Sequence, residues 1–417
     1  MAFLSLMMSF ATLNIYLSLL AFVPHQVHAT SHGSFVTKYV TNDNSSVGGL
    51  CASSIIVHGY KCQEHNVTTD DGYILGLQRI PEGRAEVNGT LTLKQPVLLQ
   101  HGVLVDGNSW FVNNPEQNLP FILADNGYDV WISNTRGTIF SRQHVSLDPS
   151  NRQFWNWTWD ELIAHDLPAM FDYVSKETKQ KINYIGHSQG TLIALASFSQ
   201  EKLIKQVKSA VLLSPVAYLS HMTTELGVVA ARYFLDEVIH LIGLAEFDLR
   251  APRVKAIIRS LCDSNPGIHC YDLLTVITGP NCCLNSTTVD TFFKNEPQST
   301  STKNLVHFAQ TFRNGVLTKF DYVVPSANFR HYGQLLPPEY NLANIPHDIP
   351  LFLSYGGKDA LSDVIDVQRL LDILKFHDAD KLSVQYIQEY AHLDFIMATN
   401  AKDIVYKDVL SFFSHHA

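Results

Sequence analysis

Short apolar runs recur along the chain: Pro96 to Gln100, Gly127 to Ser133, Ile182 to Ile185, Ser209 to Ser214, Ile349 to Tyr355 and Leu382 to Gln388. Their length and near-continuous hydrophobicity predict buried strands. Between them, apolar positions recur at helical spacing over Leu119 to Asn126, Trp159 to Lys176, Thr191 to Phe198, Ser362 to Leu374 and Ala401 to Phe413. Asp166 and Pro168 predict a break or a second start inside the second of these. Strands alternating with helices predict an α/β fold: a mostly parallel sheet with helices on both faces. Glu64 to Ile80 reads differently, as a hairpin of two alternating runs around Asp71-Gly72. Residues 30–60 read as an arm rich in Ser, Gly and Asn, with a short helix over Leu50 to His58.

The alternation breaks once. About 130 residues separate the strand at Ser214 from the one at Ile349, too many for a loop in a compact domain. Helical stretches at Thr224 to Ile242 and Val289 to Phe293 fall in this interval. The division expected is a core of residues 30–215 and 348–417, with 216–347 inserted as a mainly helical cap over the strand ends, where open α/β sheets place their sites. Leu226 to Ala231 and Val238 to Leu244 are the lid and cleft candidates.

The start of the chain has another character. Leu4 to Val23 is almost wholly apolar, and Val27-His-Ala29 offers a small-residue cleavage site, so residues 1–29 read as a secretory signal peptide. A retained anchor is the alternative. No later stretch is long and apolar enough to span a membrane. Five sequons, at Asn44, Asn66, Asn88, Asn156 and Asn285, fit a lumenal route with glycosylation. Of six cysteines, Cys51 with Cys62 and Cys262 with Cys270 suggest short-loop disulfides, though six allow about fifteen full pairings. Cys282 and Cys283 are adjacent, and a bond between them is not expected. The cysteines lack the spacing of a zinc site, so no metal site is expected from them. The net charge of −9 disfavours nucleic acid and anionic membranes as partners. The 417 residues, 46% hydrophobic and 17% charged, suit a packed globular protein.

Chemistry concentrates where a strand meets a helix. Gly186-His-Ser-Gln-Gly190 is a G-x-S-x-G between the strand at Ile182 and the helix from Thr191. On such a tight turn a serine hydroxyl projects clear of the backbone, and the flanking positions leave no room for side chains. Ser188 is therefore the candidate nucleophile. A serine needs a base, and the base an orienting carboxylate. In the order Ser, Asp, His of α/β-hydrolases, Asp359 follows a late strand and His392 follows the last one. Asp363 and Asp366 compete for the first role but fall in the next helix; His377, His415 and His416 lie before the strand or at the terminus. The oxyanion amides are assigned to Gln189 and to Val103, with Leu104 as alternative, in the loop His101 to Gly107.

Leu99-Gln-His-Gly-Val-Leu, Gly127-Tyr-Asp-Val-Trp, Asn134-Thr-Arg-Gly, Asp166-Leu-Pro-Ala, Gly186-His-Ser-Gln-Gly, Gly356-Gly-Lys-Asp and Ala391-His-Leu-Asp-Phe together resemble the acid lipase family, gastric, lysosomal and plant. Asp70-Asp-Gly-Tyr-Ile-Leu and Asn295-Glu-Pro-Gln-Ser-Thr-Ser are similar to family stretches too, and the resemblance spans roughly residues 60 to 412. It implies an α/β-hydrolase core, a cap with a lid, no cofactor, and hydrolysis of neutral lipid esters at an oil–water interface. It also assigns nucleophile, acid, base and oxyanion amides to Ser188, Asp359, His392, Val103 and Gln189. Cys51 with Cys62 looks like the plant branch. The expectation is a secreted triacylglycerol lipase, extracellular or alternatively vacuolar or lysosomal. The rivals are a steryl or other lipid esterase of the same mechanism and a non-catalytic lipid-binding protein of the same fold.

Overall fold

Among the described residues nine strands form one sheet, six of them parallel and reaching one edge. The structure is a computed structural model that describes residues 49–85, 93–224, 227, 228, 231, 243–252 and 273–417. The expected leader at 1–29, Asn44, Asn88, Cys262, Cys270 and most of the two lid candidates lie outside the described residues.

The hairpin at Asp71-Gly72 comprises β1 (Gln63–Thr68) and β2 (Tyr73–Ile80), antiparallel, with Gln63 opposite Arg79. There follow β3 (Pro96–Gln100), β4 (Asp129–Ser133), a short β5 (Gln143–His144), β6 (Ile182–His187) and β7 (Val207–Leu213). After β8 (Glu246–Phe247) and β9 (Thr300–Ser301), which pair only with each other, come β10 (Leu351–Gly356) and β11 (Leu382–Ile387). The sheet order is β1-β2-β4-β3-β6-β7-β10-β11, with β5 beside β2. Every pairing from β4 to β11 is parallel.

The near-continuous hydrophobicity of the strands has a simple origin. Successive residues face opposite sides, and each side is covered. Leu98, Trp131, Tyr184, Leu212 and Leu353 enter one core cluster. Val97, Leu99, Val130, Ile132, Ile185, Val211, Leu213 and Phe352 enter the other. Full burial of each such side chain is worth about 1.5–3 kcal/mol.

The helices Leu119–Asp125, Gln189–Ser199 and Val364–Leu374 match the apolar spacing to within two or three residues. The break expected near Asp166 is a wide turn, Leu162–Asp166, before the helix Leu167–Thr178 with Pro168 in its first turn. The short helix expected over Leu50 to His58 is present as a π turn, Cys51–Ile55, that runs into a 3-10 turn, Ile56–His58. A Cys51–Cys62 disulfide closes this arm onto β1, and the Cys51 N–H donates to Glu64 Oε1 at 2.8 Å.

Between β7 and β10 the described chain forms helices Leu273–Thr278, Ser286–Asn295, Thr302–Asn314 and Pro325–Tyr332. Leu317, Tyr340 and Leu342 join the first core cluster and Phe292 the second, so the interval is packed onto the sheet's covering layers. Among the described residues no helix is long and apolar enough to cross a membrane.

Candidate active site

β6 ends at His187, and the next helix starts at Gln189. Ser188, alone between them, has φ 55° and ψ −119°, outside the regions a side chain normally allows. Holding it there costs about 1–3 kcal/mol, offset by the surrounding packing. The glycines explain how the turn closes. A Cβ on Gly190 would lie 2.5 Å from the Gln100 carbonyl oxygen, and one on Gly186 would lie 2.8 Å from the carbonyl of Gly190. The Ser188 N–H donates to Leu213 O at 3.1 Å, and its carbonyl accepts from Thr191 N and Oγ1 at 2.8 and 2.6 Å. Ser188 therefore sits at the end of the central strand, at the positive end of a buried helix dipole. Gln189 is the first residue of that helix, so its N–H has no carbonyl partner within the helix.

Asp359 follows β10 and His392 follows β11. The His392 Nδ1–H lies 3.0 Å from each oxygen of Asp359. Both groups are buried. Burial pulls the Asp359 carboxyl towards protonation, but the His392 ring and the N–H groups of Ser362 and Leu361 outweigh it and hold the carboxyl below its ordinary value. With Nδ1 committed as donor, Nε2 is the basic nitrogen; it is buried and has no hydrogen-bond partner among the described residues. The competitors sit elsewhere. Asp363 caps a helix by accepting from Ile365 N at 2.8 Å, Asp366 binds His221 at 2.8 Å, and His377 packs beside His347.

The loop after β3 closes against the serine. A Cβ on Gly102 would lie 2.9 Å from Ser188 Cβ, so only glycine permits this approach. His101 Nδ1–H donates to Gly102 O at 2.7 Å, while Nε2 accepts from Thr135 N–H at 3.1 Å. Burial drives the His101 pKa down to about 4, so the ring stays neutral and keeps that tautomer. Val103 is next, half-buried, and Leu104 has φ 63°.

Three features were not legible from the pattern. His187 donates from Nε2 to the His392 carbonyl at 2.9 Å and ties the Ser188 turn to the loop of His392; burial, then His392 beside it, lowers its pKa to about 3. Thr278 O, from the interval between β7 and β10, accepts from His392 N at 3.2 Å and Ala360 N at 3.3 Å. Asn281 Oδ1 accepts from Leu393 N at 3.0 Å. One segment thus holds the loops of both Asp359 and His392. Thirdly, Arg136 is buried against Asp166, at 2.6 Å, and Asp71, at 2.7 Å. The stretches Asp70-Asp-Gly, Asn134-Thr-Arg-Gly and Asp166-Leu-Pro therefore meet in one ion cluster that shapes the loop after β4.

Cys282 and Cys283 are a correction to the sequence reading: they are joined to each other. The turn that makes this possible is held by Asp394, whose carboxylate oxygens accept the N–H groups of both cysteines at 3.1 and 3.2 Å. Asp394 with these cysteines, and Asp70 with Asp71 and His165, are the described groups that bring metal-type donors within 4.8 Å. Asp71 is already bound to Arg136, and Asp394 to backbone N–H groups, which leaves little in either for a metal. Of the sequon asparagines, Asn66, Asn156 and Asn285 are exposed; Asn285 also caps the helix Ser286–Asn295.

Comparison with known proteins bears on the fold and the family. Residues 51–114 match the family described as a partial alpha/beta-hydrolase lipase region, and residues 95–236 match the alpha/beta hydrolase fold. The chain is 58% identical to "Triacylglycerol lipase 2" of Arabidopsis thaliana over 89% of each chain. It is 37% identical to "Tear acid lipase-like protein" of Mesocricetus auratus, over 84% of this chain and 87% of that one. A soluble variant of monoglyceride lipase from Saccharomyces cerevisiae shares the fold, with a TM-score of 0.55 at 17% identity over 86% of this chain and 96% of that one. The chain has the α/β-hydrolase fold and belongs to the acid lipase family.

Proposed function

We propose that the protein is a serine lipase that cleaves fatty-acyl esters of triacylglycerols. One observation carries the reading: His392 Nδ1 is bound by both oxygens of buried Asp359, Nε2 has no partner among the described residues, and the His392 ring packs 4.9 Å from that of His187, the neighbour of Ser188 in its strained turn. Ser188 Oγ attacks the ester carbonyl as His392 Nε2 takes its proton. Asp359 keeps the ring oriented and stabilises the imidazolium. The Val103 and Gln189 amides and the helix N-terminus receive the oxyanion. His392 then protonates the leaving alcohol, and a water activated by the same nitrogen releases the fatty acid.

The substrate class comes from the relatives, one of which is named a triacylglycerol lipase. Residues 216–347 act as the cap over this site. Its contacts support that role: Gln298 N–H donates to Leu104 O at 2.7 Å, and Thr278 O holds the base loop. The leader pattern, the sequons and the Cys51–Cys62 disulfide favour a secreted glycoprotein, with a second bridge at Cys262–Cys270. The test is a hydrolysis panel of tributyrin, triolein and cholesteryl oleate. Triolein and tributyrin should be cleaved and cholesteryl oleate should lag; preference for the steryl ester, or no hydrolysis at any pH, would contradict the reading.

A further inference from the structure

Two acidic side chains lie buried behind the loop that carries Val103, and the reaction above does not use them. Asp106 ends that loop; Glu296 comes from the interval between β7 and β10, 190 residues later. Their exposures are 0% and 1%. The Asp106 N–H donates to Glu296 Oε1 at 3.1 Å, and Asp106 Oδ1 accepts from Asn108 N and Nδ2 at 2.7 and 3.0 Å. That leaves Asp106 Oδ2 and Glu296 Oε2, both buried, with no partner among the described residues. Among the described residues the cation that acts on the pair is Arg250, and its Nη2 donates to the backbone carbonyl of Glu296 at 2.7 Å. Asn108, which bonds Asp106, is neutral, and the neighbouring Gln298 donates from Nε2 to Asn295 O at 2.7 Å.

Two adjacent carboxylates cannot both stay ionised away from water. Desolvation raises the proton affinity of both groups, and the charge of Asp106 raises that of Glu296 further. One proton on the pair relieves that repulsion, and the two oxygens without partners are free to hold it.

We propose that Glu296 and Asp106 share one proton between Glu296 Oε2 and Asp106 Oδ2, and that the resulting pair positions the loop presenting the Val103 amide to the reacting carbonyl. This rests on the oxyanion role given to Val103 above. The segment of Glu296 grips the loop twice, at Asp106 N–H and, through Gln298 N–H, at Leu104 O, which follows Val103 and has a positive φ. Loss of the shared proton leaves two buried carboxylates facing each other and pushes the segment off the loop. Glu296 is a positioning residue: it acts through the loop backbone and does not touch substrate. Because the pair gains proton affinity on folding, its stabilisation is complete at acid pH and is lost as pH rises through the raised value.

The experiment compares wild type, Glu296→Ala and Glu296→Gln on a soluble ester across pH, alongside thermal melts. Glu296→Ala should lower kcat about 100-fold with KM moved less than about twofold, as expected for a small misplacement of an oxyanion donor. Glu296→Gln carries its hydrogens at every pH. It should recover most of that loss near about pH 5 and move the alkaline limb of kcat up by about one unit or more. The alkaline fall in melting temperature should flatten with it. Superimposable wild-type and Glu296→Gln profiles would overturn the proposal, as would a Glu296→Gln enzyme as poor as Glu296→Ala. If Glu296→Ala does not fold, the Glu296→Gln limb decides alone. Fluorophosphonate labelling separates the two levels of the argument: wild type unlabelled at Ser188 defeats the catalytic reading, whereas normal labelling with unshifted profiles defeats only the carboxyl pair.

Discussion

Replacing Asp359 by Asn removes one charge and reverses one hydrogen bond. Oδ1 accepts from Leu361 N at 2.9 Å, from Ser362 N at 2.8 Å and from His392 Nδ1 at 3.0 Å; among the described residues Oδ2 accepts only from His392, at 3.0 Å. The two backbone donors fix the amide oxygen of Asn in the place of Oδ1. Its NH2 then takes the place of Oδ2 and points a hydrogen at Nδ1. To accept that hydrogen the ring must carry its own proton on Nε2, and the base for Ser188 is gone. The imidazolium formed during attack also loses its counter-charge. Together these should lower kcat about 10⁴-fold, or about 5.4 kcal/mol. KM for p-nitrophenyl butyrate should move little, because Asp359 is buried behind the ring. The assay is steady-state hydrolysis of that ester, with a melt to show that the variant is folded. Asp363→Asn is the control: it retains the cap to Ile365 N and should keep kcat. A folded Asp359→Asn enzyme with less than about a tenfold loss, or an equal loss in Asp363→Asn, would refute the assignment of the acid.

Gly190→Ala drives a methyl to 2.5 Å from the Gln100 carbonyl oxygen, and should destabilise the fold by about 1–3 kcal/mol in urea titration. Asp166→Ala leaves buried Arg136 only the part-exposed Asp71, and should cost about 3–5 kcal/mol in the same titration. Asn281→Ala frees the Leu393 N–H, and should lower kcat about tenfold while KM stays within about twofold; a change confined to KM would mean that the segment shapes the cleft and leaves His392 in place.

The parts of this molecule written in local spacing were legible, and the parts that depend on distant pairing were not. Gly186 and Gly190 announce the elbow because a Cβ at either collides with backbone. The strands announce themselves because Val97, Leu98 and Leu99 must face alternately into two cores. Helix Thr302–Asn314 carries no such signal: Lys303, Asn304, His307, Gln310 and Thr311 are buried, so its inner face is polar and its apolar periodicity is masked. Part of the cost of that burial is offset by partners that follow the helix: Thr318 O accepts from His307 Nε2 at 2.8 Å and Asp321 O from Gln310 Nε2 at 2.7 Å. Arg136 with Asp71 and Asp166, and Asp106 with Glu296, join residues 30 to 190 positions apart, and nothing in their local sequence names the partner. The same holds for Cys283, where a turn set by Asp394 brings together neighbours whose adjacency argued against a bond.

The central claim is that Ser188 is the nucleophile of a lipase, and covalent labelling tests it most directly. Wild-type protein is treated with a fluorophosphonate, the adduct located by peptide mass, and triolein hydrolysis followed in the same sample. One phosphonyl group should appear, on Ser188, and activity should fall in proportion to its occupancy. Ser188→Ala should take up none and hydrolyse triolein about 10⁴–10⁶-fold more slowly while melting as a folded protein. An adduct on another residue with Ser188 unmodified, or a Ser188→Ala protein that keeps more than about a tenth of wild-type turnover, would contradict the account.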